Sequence, residues 1–186
     1  MKPDWDIYFL SLAFLISQRS IDESSNGCVI VNDDKHILSV GYNGPPFGCD
    51  DKRVPLTRPA KYRYMEHAES NAIINAALTG VSLKECTVYV TMQPCFECWR
   101  KLVNLRVKRV VYVNVRTKIA HPEDDELIKF FIANKNIEIV SVDNLVAVRC
   151  LLEQAADSIF NRFPELLTTV HKITPEHKIT PCGENI

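Results

Sequence analysis

Three side chains of this sequence are of the types and spacing that could share a metal ion. His67 opens the run His67-Ala68-Glu69, and two cysteines stand three apart in Pro94-Cys95-Phe96-Glu97-Cys98. Zinc in a hydrolytic site takes three protein ligands and keeps a fourth position for water. His67, Cys95 and Cys98 supply the three, and Glu69, two residues past the histidine, falls beside the fourth position without ligating. Water on zinc ionises near pH 7, and Glu69 is then the group to take its proton and hand it to a substrate. A Cys-x-x-Cys alone also suits a redox dithiol or a structural zinc site. A dithiol explains neither His67 nor Glu69. Structural zinc needs a fourth ligand, for which Cys86 or Cys49 would have to serve, and its ligands usually come in pairs. The set as a whole favours catalytic zinc.

Such a site needs elements that carry its parts to one place. Glu66 to Thr79 reads as a helix closed by Gly80, and Pro94 starts a second helix reaching about Leu105. The 24 residues between Glu69 and Pro94 are enough for the rest of a helix, a turn and a strand at Cys86 to Thr91. Both motifs therefore sit at helix N-termini that can converge at one end of a parallel sheet. Such termini favour thiolates, and Cys95 and Cys98, three apart, share a face. Around them, Asp4 caps a helix over residues 4–20 whose aromatics Trp5, Tyr8, Phe9 and Phe14 read as core. Cys28–Val31 and Ile37–Tyr42 form a hairpin across Asn32-Asp33-Asp34-Lys35. A loop over 43–64, with four prolines and two glycines, is long enough to suspect function. Strands at Val107–Val113 and Ile137–Val142 alternate with helices at Pro122–Asn134 and Leu145–Phe160. That order predicts a mixed sheet with helices on both faces.

The chain has 186 residues and a formal charge of −1, from 22 Lys+Arg against 23 Asp+Glu. A protein living on nucleic-acid backbone contacts would carry a clear positive excess, so no nucleic acid is expected. The apolar run Ile7–Ile16 is about half of a membrane span, and Asp4 and Asp6 precede it where an export signal would be basic. A cytoplasmic protein without a membrane partner is expected. Seven cysteines, an odd number, argue against a disulfide framework. Arg100, Lys101, Arg106, Lys108 and Arg109 read as a solvated helix face and strand entry, or as a phosphate or subunit contact. Residues 1–163 form the expected domain. Residues 164–186 form an extended or mobile tail with the short repeat His171-Lys-Ile-Thr-Pro175 and His177-Lys-Ile-Thr-Pro181.

His-x-Glu followed by Pro-Cys-x-x-Cys is the signature of zinc-dependent base deaminases. From Trp5 to Val142 the sequence resembles, more narrowly, the deoxycytidylate (dCMP) deaminases of the cytidine deaminase superfamily. The likeness includes Trp5-Asp-x-Tyr-Phe9, Ser17-Gln-Arg-Ser20 with Asp22, Gly41-Tyr-Asn-Gly-Pro-Pro-Phe-Gly-Cys-Asp50, Lys61-Tyr-x-Tyr64, Asn71-Ala-Ile73 and Val88-Tyr-Val-Thr91. The resemblance implies a three-layer α/β/α sandwich around a five-stranded mixed sheet, and hydrolysis of dCMP to dUMP for thymidylate synthesis. It implies Zn²⁺ on His67, Cys95 and Cys98, with Glu69 catalytic. Asn43 is then placed on sugar and base, and the Ala68 backbone N–H on the pyrimidine O2. It further implies a homo-oligomer, by family a hexamer, with dCTP activating and dTTP with Mg²⁺ inhibiting. Gly44, Gly48, Asp50 and Asp51 of the Asn43–Asp51 loop would meet these effectors. For the 5′-phosphate, Arg19, Ser20 and Arg116 are the candidates, since Arg pairs two phosphate oxygens at once. Ser70 stands where the family run has Leu, and Trp99 where it has a small residue. Deamination of another cytosine nucleotide or of a base in nucleic acid, and a non-catalytic nucleotide-binding homologue, are the alternatives.

Overall fold

A computed structural model of the chain describes residues 2–113, 122–133, 135–143 and 145–162. Arg116 and the 164–186 tail lie outside them. The element order is α1 (Trp5–Ser17), β1 (Gly27–Val31), β2 (Ile37–Tyr42), α2 (Ala68–Leu78), β3 (Thr87–Val90), α3 (Phe96–Asn104), β4 (Arg109–Val113), α4 (Pro122–Ile132), β5 (Glu138–Val142) and α5 (Val146–Arg162). Two short 3₁₀ turns, Asp51–Arg53 and Ala60–Arg63, break up the long loop. The sheet runs β2-β1-β3-β4-β5. β1 is antiparallel to β2 and β3, whereas β3, β4 and β5 are parallel. This is the expected five-stranded mixed sheet.

The alternation of side chains along a strand splits the core in two. Cys28 and Ile30 of β1, Val88 and Val90 of β3 and Val110 of β4 face α2, α3 and α4, against Ala68, Ala72, Trp99, Leu102 and Ile128. Val29, Val31, Tyr89 and Val111 face the other way, against Phe9, Leu10 and Ala13 of α1 and Val148 of α5. Three layers result. Of the helix-one aromatics expected in the core, only Phe9 is fully buried; Trp5 and Tyr8 are about half exposed and lean on it at 5.5 and 5.2 Å between ring centroids. Burial there favours the i+4 stripe of Phe9 and Ala13 over the outer turn of the helix.

Two glycines let the helices lie close on the sheet. A Cβ on Gly27 would stand 1.9 Å from the Ala13 carbonyl oxygen, and one on Gly41 2.4 Å from the Ala68 carbonyl oxygen and the Ala72 nitrogen. Gly41 thus lets the first turn of α2 sit directly on β2, which settles where His67 and Glu69 are held. On the far side, Asp6 of α1 receives both terminal nitrogens of Arg109, at 2.6 and 2.7 Å, and the Tyr89 hydroxyl at 3.0 Å. Arg109 also meets Glu138, so this cation of the 100–109 run serves the fold.

Candidate active site

His67 is the N-cap of α2 and Cys95 the N-cap of α3, both in extended backbone. Cys98 is the third residue of α3. N-cap and third-residue side chains meet over the helix start, which is why a Cys-x-x-Cys placed there brings both sulfurs together. Both helices begin at the carboxyl end of β3, where open α/β sheets form their crevices. The β3–β1 pairing brings residues 26–27 and 91 to the same end: Gly27 N–H donates to Thr91 Oγ1 (3.0 Å), and the Thr91 hydroxyl donates to Asn26 Oδ1 (3.1 Å).

The His67 Nδ1 lies 3.4 Å from Cys95 Sγ and 3.5 Å from Cys98 Sγ. The three donor atoms all fall within 4.8 Å of one another and form the one such metal-capable group of three among the described residues. Tetrahedral zinc, with bonds of about 2.3 Å to sulfur and 2.0–2.1 Å to nitrogen, sets nitrogen and sulfur about 3.6 Å apart. The triangle fits zinc in donor type and in spacing, and three donors leave the fourth position for water. His67 is exposed, Cys95 half-buried and Cys98 buried, so the triangle opens to solvent on the histidine side.

Electrostatics follow from this crowding. The hydrogen bond from the Cys98 thiol, and then His67, hold the Cys95 thiol down to about 4. Cys98 is pushed up in turn, first by that same hydrogen bond and then by burial. The hydrogen bond to Cys95 pushes His67 up to about 9. The thiolate is therefore favoured at Cys95 and the protonated ring at His67. Glu69 is only 5% exposed, and burial raises its carboxyl pKa. Its own backbone N–H and the Cys98 thiol favour the charged form and oppose that rise, and the carboxyl stands close to the metal ligands.

The other expected residues distribute as follows. Asn43 is buried, and its side chain is largely committed: Oδ1 accepts the Asn26 N–H (2.6 Å) and Nδ2 donates to the Ser24 carbonyl (3.2 Å). The second Nδ2 proton has no acceptor among the described residues. Ala68 is the first residue of α2, where backbone N–H groups lack helical acceptors. The Ser20 hydroxyl donates to the Asn43 carbonyl (2.7 Å) and accepts the Asp22 N–H (3.1 Å), so it braces Asn43. Arg19 follows α1, exposed and without a side-chain partner among the described residues. In the loop, Gly44 pairs its backbone with Glu66 in both directions (3.1 and 2.8 Å), which ties Asn43 to His67. Gly48 and Asp51 are exposed, Gly48 with φ +84°, and Asp50 caps the first 3₁₀ turn through Lys52 N–H.

Three residues that sequence reasoning did not assign roles sit under these groups. Lys61 and Asp22 form a buried ion pair, Nζ to Oδ1 2.7 Å and to Oδ2 2.9 Å. Lys101 reaches from α3 to Ser70 and Glu66 beside His67. In the sequence, Asp22 and Lys61 stand among the residues that carry the family resemblance, without a role, and Lys101 within a run of cations.

A family model described as the cytidine and deoxycytidylate deaminase zinc-binding region matches residues 3–114. The chain is 42% identical over 118 residues to the human (Homo sapiens) protein named deoxycytidylate deaminase, covering 60% of this chain and 65% of that one. It is 34% identical over 124 residues to the deoxycytidylate deaminase of Mycobacterium phage D29, covering 60% of this chain and 95% of that one. A solved dCMP deaminase from the cyanophage S-TIM5, in complex with dCMP and dUMP, superposes with a TM-score of 0.63 at 24% identity, over 76% of this chain and 99% of that chain. This last likeness is one of fold.

Proposed function

The chain belongs to the cytidine and deoxycytidylate deaminase family, and we propose that it hydrolyses dCMP to dUMP and ammonia. The observation that carries this reading is the His67–Cys95–Cys98 triangle at tetrahedral zinc spacing with the buried Glu69 carboxyl against it. The relatives named deoxycytidylate deaminase support the choice of nucleotide.

Zinc held by His67, Cys95 and Cys98 would supply Lewis acidity that ionises water near neutral pH. The rest falls to the chain's own groups. Glu69 accepts one proton from the attacking water and passes it to N3 of the cytosine ring, then takes the second proton from the hydroxyl formed on C4 and hands it to the departing amino nitrogen. The water oxygen becomes O4 of uracil and the amino group leaves as ammonia. Burial suits Glu69 to this traffic, because a carboxyl with a raised pKa both takes and gives a proton readily. The backbone N–H of Ala68 meets O2 of the ring, and the free Nδ2 proton of Asn43 meets the sugar. The network through Asn26, Ser24 and Ser20 keeps that amide from rotating.

The same reading assigns the 5′-phosphate to Arg19, with Ser20 and Arg116 as the further candidates, and the effectors dCTP and dTTP with Mg²⁺ to the Asn43–Asp51 loop through Gly44, Gly48, Asp50 and Asp51. It takes the enzyme as a cytoplasmic homo-oligomer, a hexamer by family resemblance, with residues 1–163 as its catalytic domain. No described helix is long and apolar enough to cross a membrane.

The test is a substrate panel of dCMP, CMP, deoxycytidine, dCTP and a cytosine oligonucleotide, run on wild type and Glu69→Gln. Wild type should turn over dCMP best. Glu69→Gln should retain zinc and lose about 10²–10⁴-fold in kcat. Absence of dCMP turnover, or a fully active Glu69→Gln, overturns the reading.

A further inference from the structure

The two helices that carry the metal ligands hardly touch each other: α2 packs mainly on β2 and β1, and α3 on α4. Yet His67 on one and Cys95 and Cys98 on the other must hold a spacing set to tenths of an ångström. Besides the contacts among the three ligands, one side chain among the described residues makes polar contacts across the gap. Lys101, one turn beyond Cys98, donates from Nζ to the hydroxyl of Ser70, three residues beyond His67. The same ammonium lies 3.6 Å from Glu66 Oε1, and that carboxylate oxygen accepts the His67 backbone N–H at 3.3 Å. Glu66 and Ser70 therefore straddle His67, and Lys101 grips both from the opposing helix. Glu66 is itself tethered through its backbone to Gly44.

We propose that Lys101 is a positioning residue of the metal centre: by bracketing Glu66 and Ser70 it sets the distance of His67 from Cys95 and Cys98. The inference rests on the reading of this triangle as a zinc site. Lys101 and Glu66 are both well exposed, 42% and 39% by side chain, so water screens their attraction and the bracket acts by geometry. Partners lying outside the ligands themselves commonly matter to metal affinity for this reason. Lys108, the neighbouring cation of the same run, pairs with Asp33 and reaches none of these groups.

The experiment measures the zinc dissociation constant of the full chain by competition with a chromogenic chelator at fixed pH. It compares wild type, Lys101→Met, Ser70→Ala, the double variant, Lys101→Arg and the control Lys108→Met. Thermal melts of the metal-free proteins are run alongside. Lys101→Met and Ser70→Ala should each weaken zinc binding by roughly 10- to 100-fold. The double variant should be no weaker than Lys101→Met, because the two changes remove one shared contact. Lys101→Arg should recover most of the affinity, and Lys108→Met should match wild type. Unchanged zinc affinity in Lys101→Met overturns the proposal, as does a loss in Lys101→Met that Ser70→Ala does not share, which would make Lys101 a charge rather than a bracket. A wild-type chain that binds no zinc would instead sink the metal reading on which the proposal stands.

Discussion

The buried ion pair of Asp22 and Lys61 offers a sharp test of how the substrate end of the pocket is held. Their side chains are 5% and 7% exposed, and Lys61 Nζ meets both Asp22 oxygens within 2.9 Å. Asp22 Oδ1 also accepts the Ser24 N–H at 2.8 Å, and the Ser24 carbonyl holds the side chains of Asn43 and Asn26. The pair thus joins the turn after α1 to the long loop before α2, 39 residues later in the chain. Lys61→Met keeps the apolar stem and removes the charge. Asp22 is then left buried with a single N–H donor, and breaking a buried pair in this way costs about 3–5 kcal/mol. For a domain of this size each kcal/mol is worth about 2–4 °C in melting temperature, so a drop of roughly 6–20 °C follows. The double variant Asp22→Asn with Lys61→Met buries no charge and should lose less than Lys61→Met alone. Urea unfolding of the zinc-saturated proteins reads both values. Steady-state kinetics on dCMP should show a raised KM with zinc content intact, since the Asn43 network loosens while the ligand triangle does not. A Lys61→Met loss under about 1 kcal/mol, or a double variant no better than the single, would refute the reasoning.

Three further outcomes follow from the site and its frame. Metal-free, the pocket holds protons on His67, pushed up to about 9, and on Cys98, so zinc uptake at pH 7 should release close to two protons and tighten as pH rises toward 9; calorimetry in buffers of different ionisation enthalpy checks this, and release near zero contradicts it. The hydrogen bonds from Arg109 hold the Asp6 carboxyl below its usual range, so their stabilisation is complete above the unfolded value of about 3.9 and fades as pH falls through the lower native value. Asp6→Asn should therefore be about 1–2 kcal/mol less stable at pH 7, and the gap should close in acid, as paired denaturation curves at pH 7 and pH 3 would reveal. Arg19→Ala should cut kcat/KM for dCMP by roughly ten- to a hundredfold, the worth of a charged hydrogen bond of about 1.5–3 kcal/mol, and leave deoxycytidine turnover unchanged; parallel losses on both substrates would remove Arg19 from the phosphate.

Much of this architecture was legible because the periodicities were clean. The all-apolar β1 run and the Pro94 helix start located the sheet and α3, and the spacing of His67, Glu69, Cys95 and Cys98 needed only helix N-termini to converge. What stayed hidden were partnerships between residues distant in the chain. Lys61 lies in a loop rich in exposed residues, and nothing local says that its ammonium is buried against Asp22. Ser70 read only as a departure from the family run and Lys101 as one of five cations; their contact exists because two helix starts meet in space. Trp5 and Tyr8 carried the right spacing for a core stripe, but the stripe is narrower than the helix, and the sheet covers only Phe9's side of it. Arg109, read as part of a solvated strand entry or as a phosphate or subunit contact, is drawn inward because Asp6 of α1 meets it on the same face of the sheet.

His67 and Cys95 are the cap residues of their helices, and that has a consequence for which insertions and deletions the chain can absorb. The loops leading into each cap can lengthen or shorten while the ligand stays where the helix begins. Inside the first turn there is no such freedom: one residue added between Cys95 and Cys98 would swing the second sulfur about 100° around the helix axis and off the metal. One residue added between His67 and Glu69 would turn the carboxyl away by the same angle. Lineages descending from such a sequence can vary the length of the loop stretches between Gly44 and Lys61 and between α2 and β3, while the two first turns must keep their count.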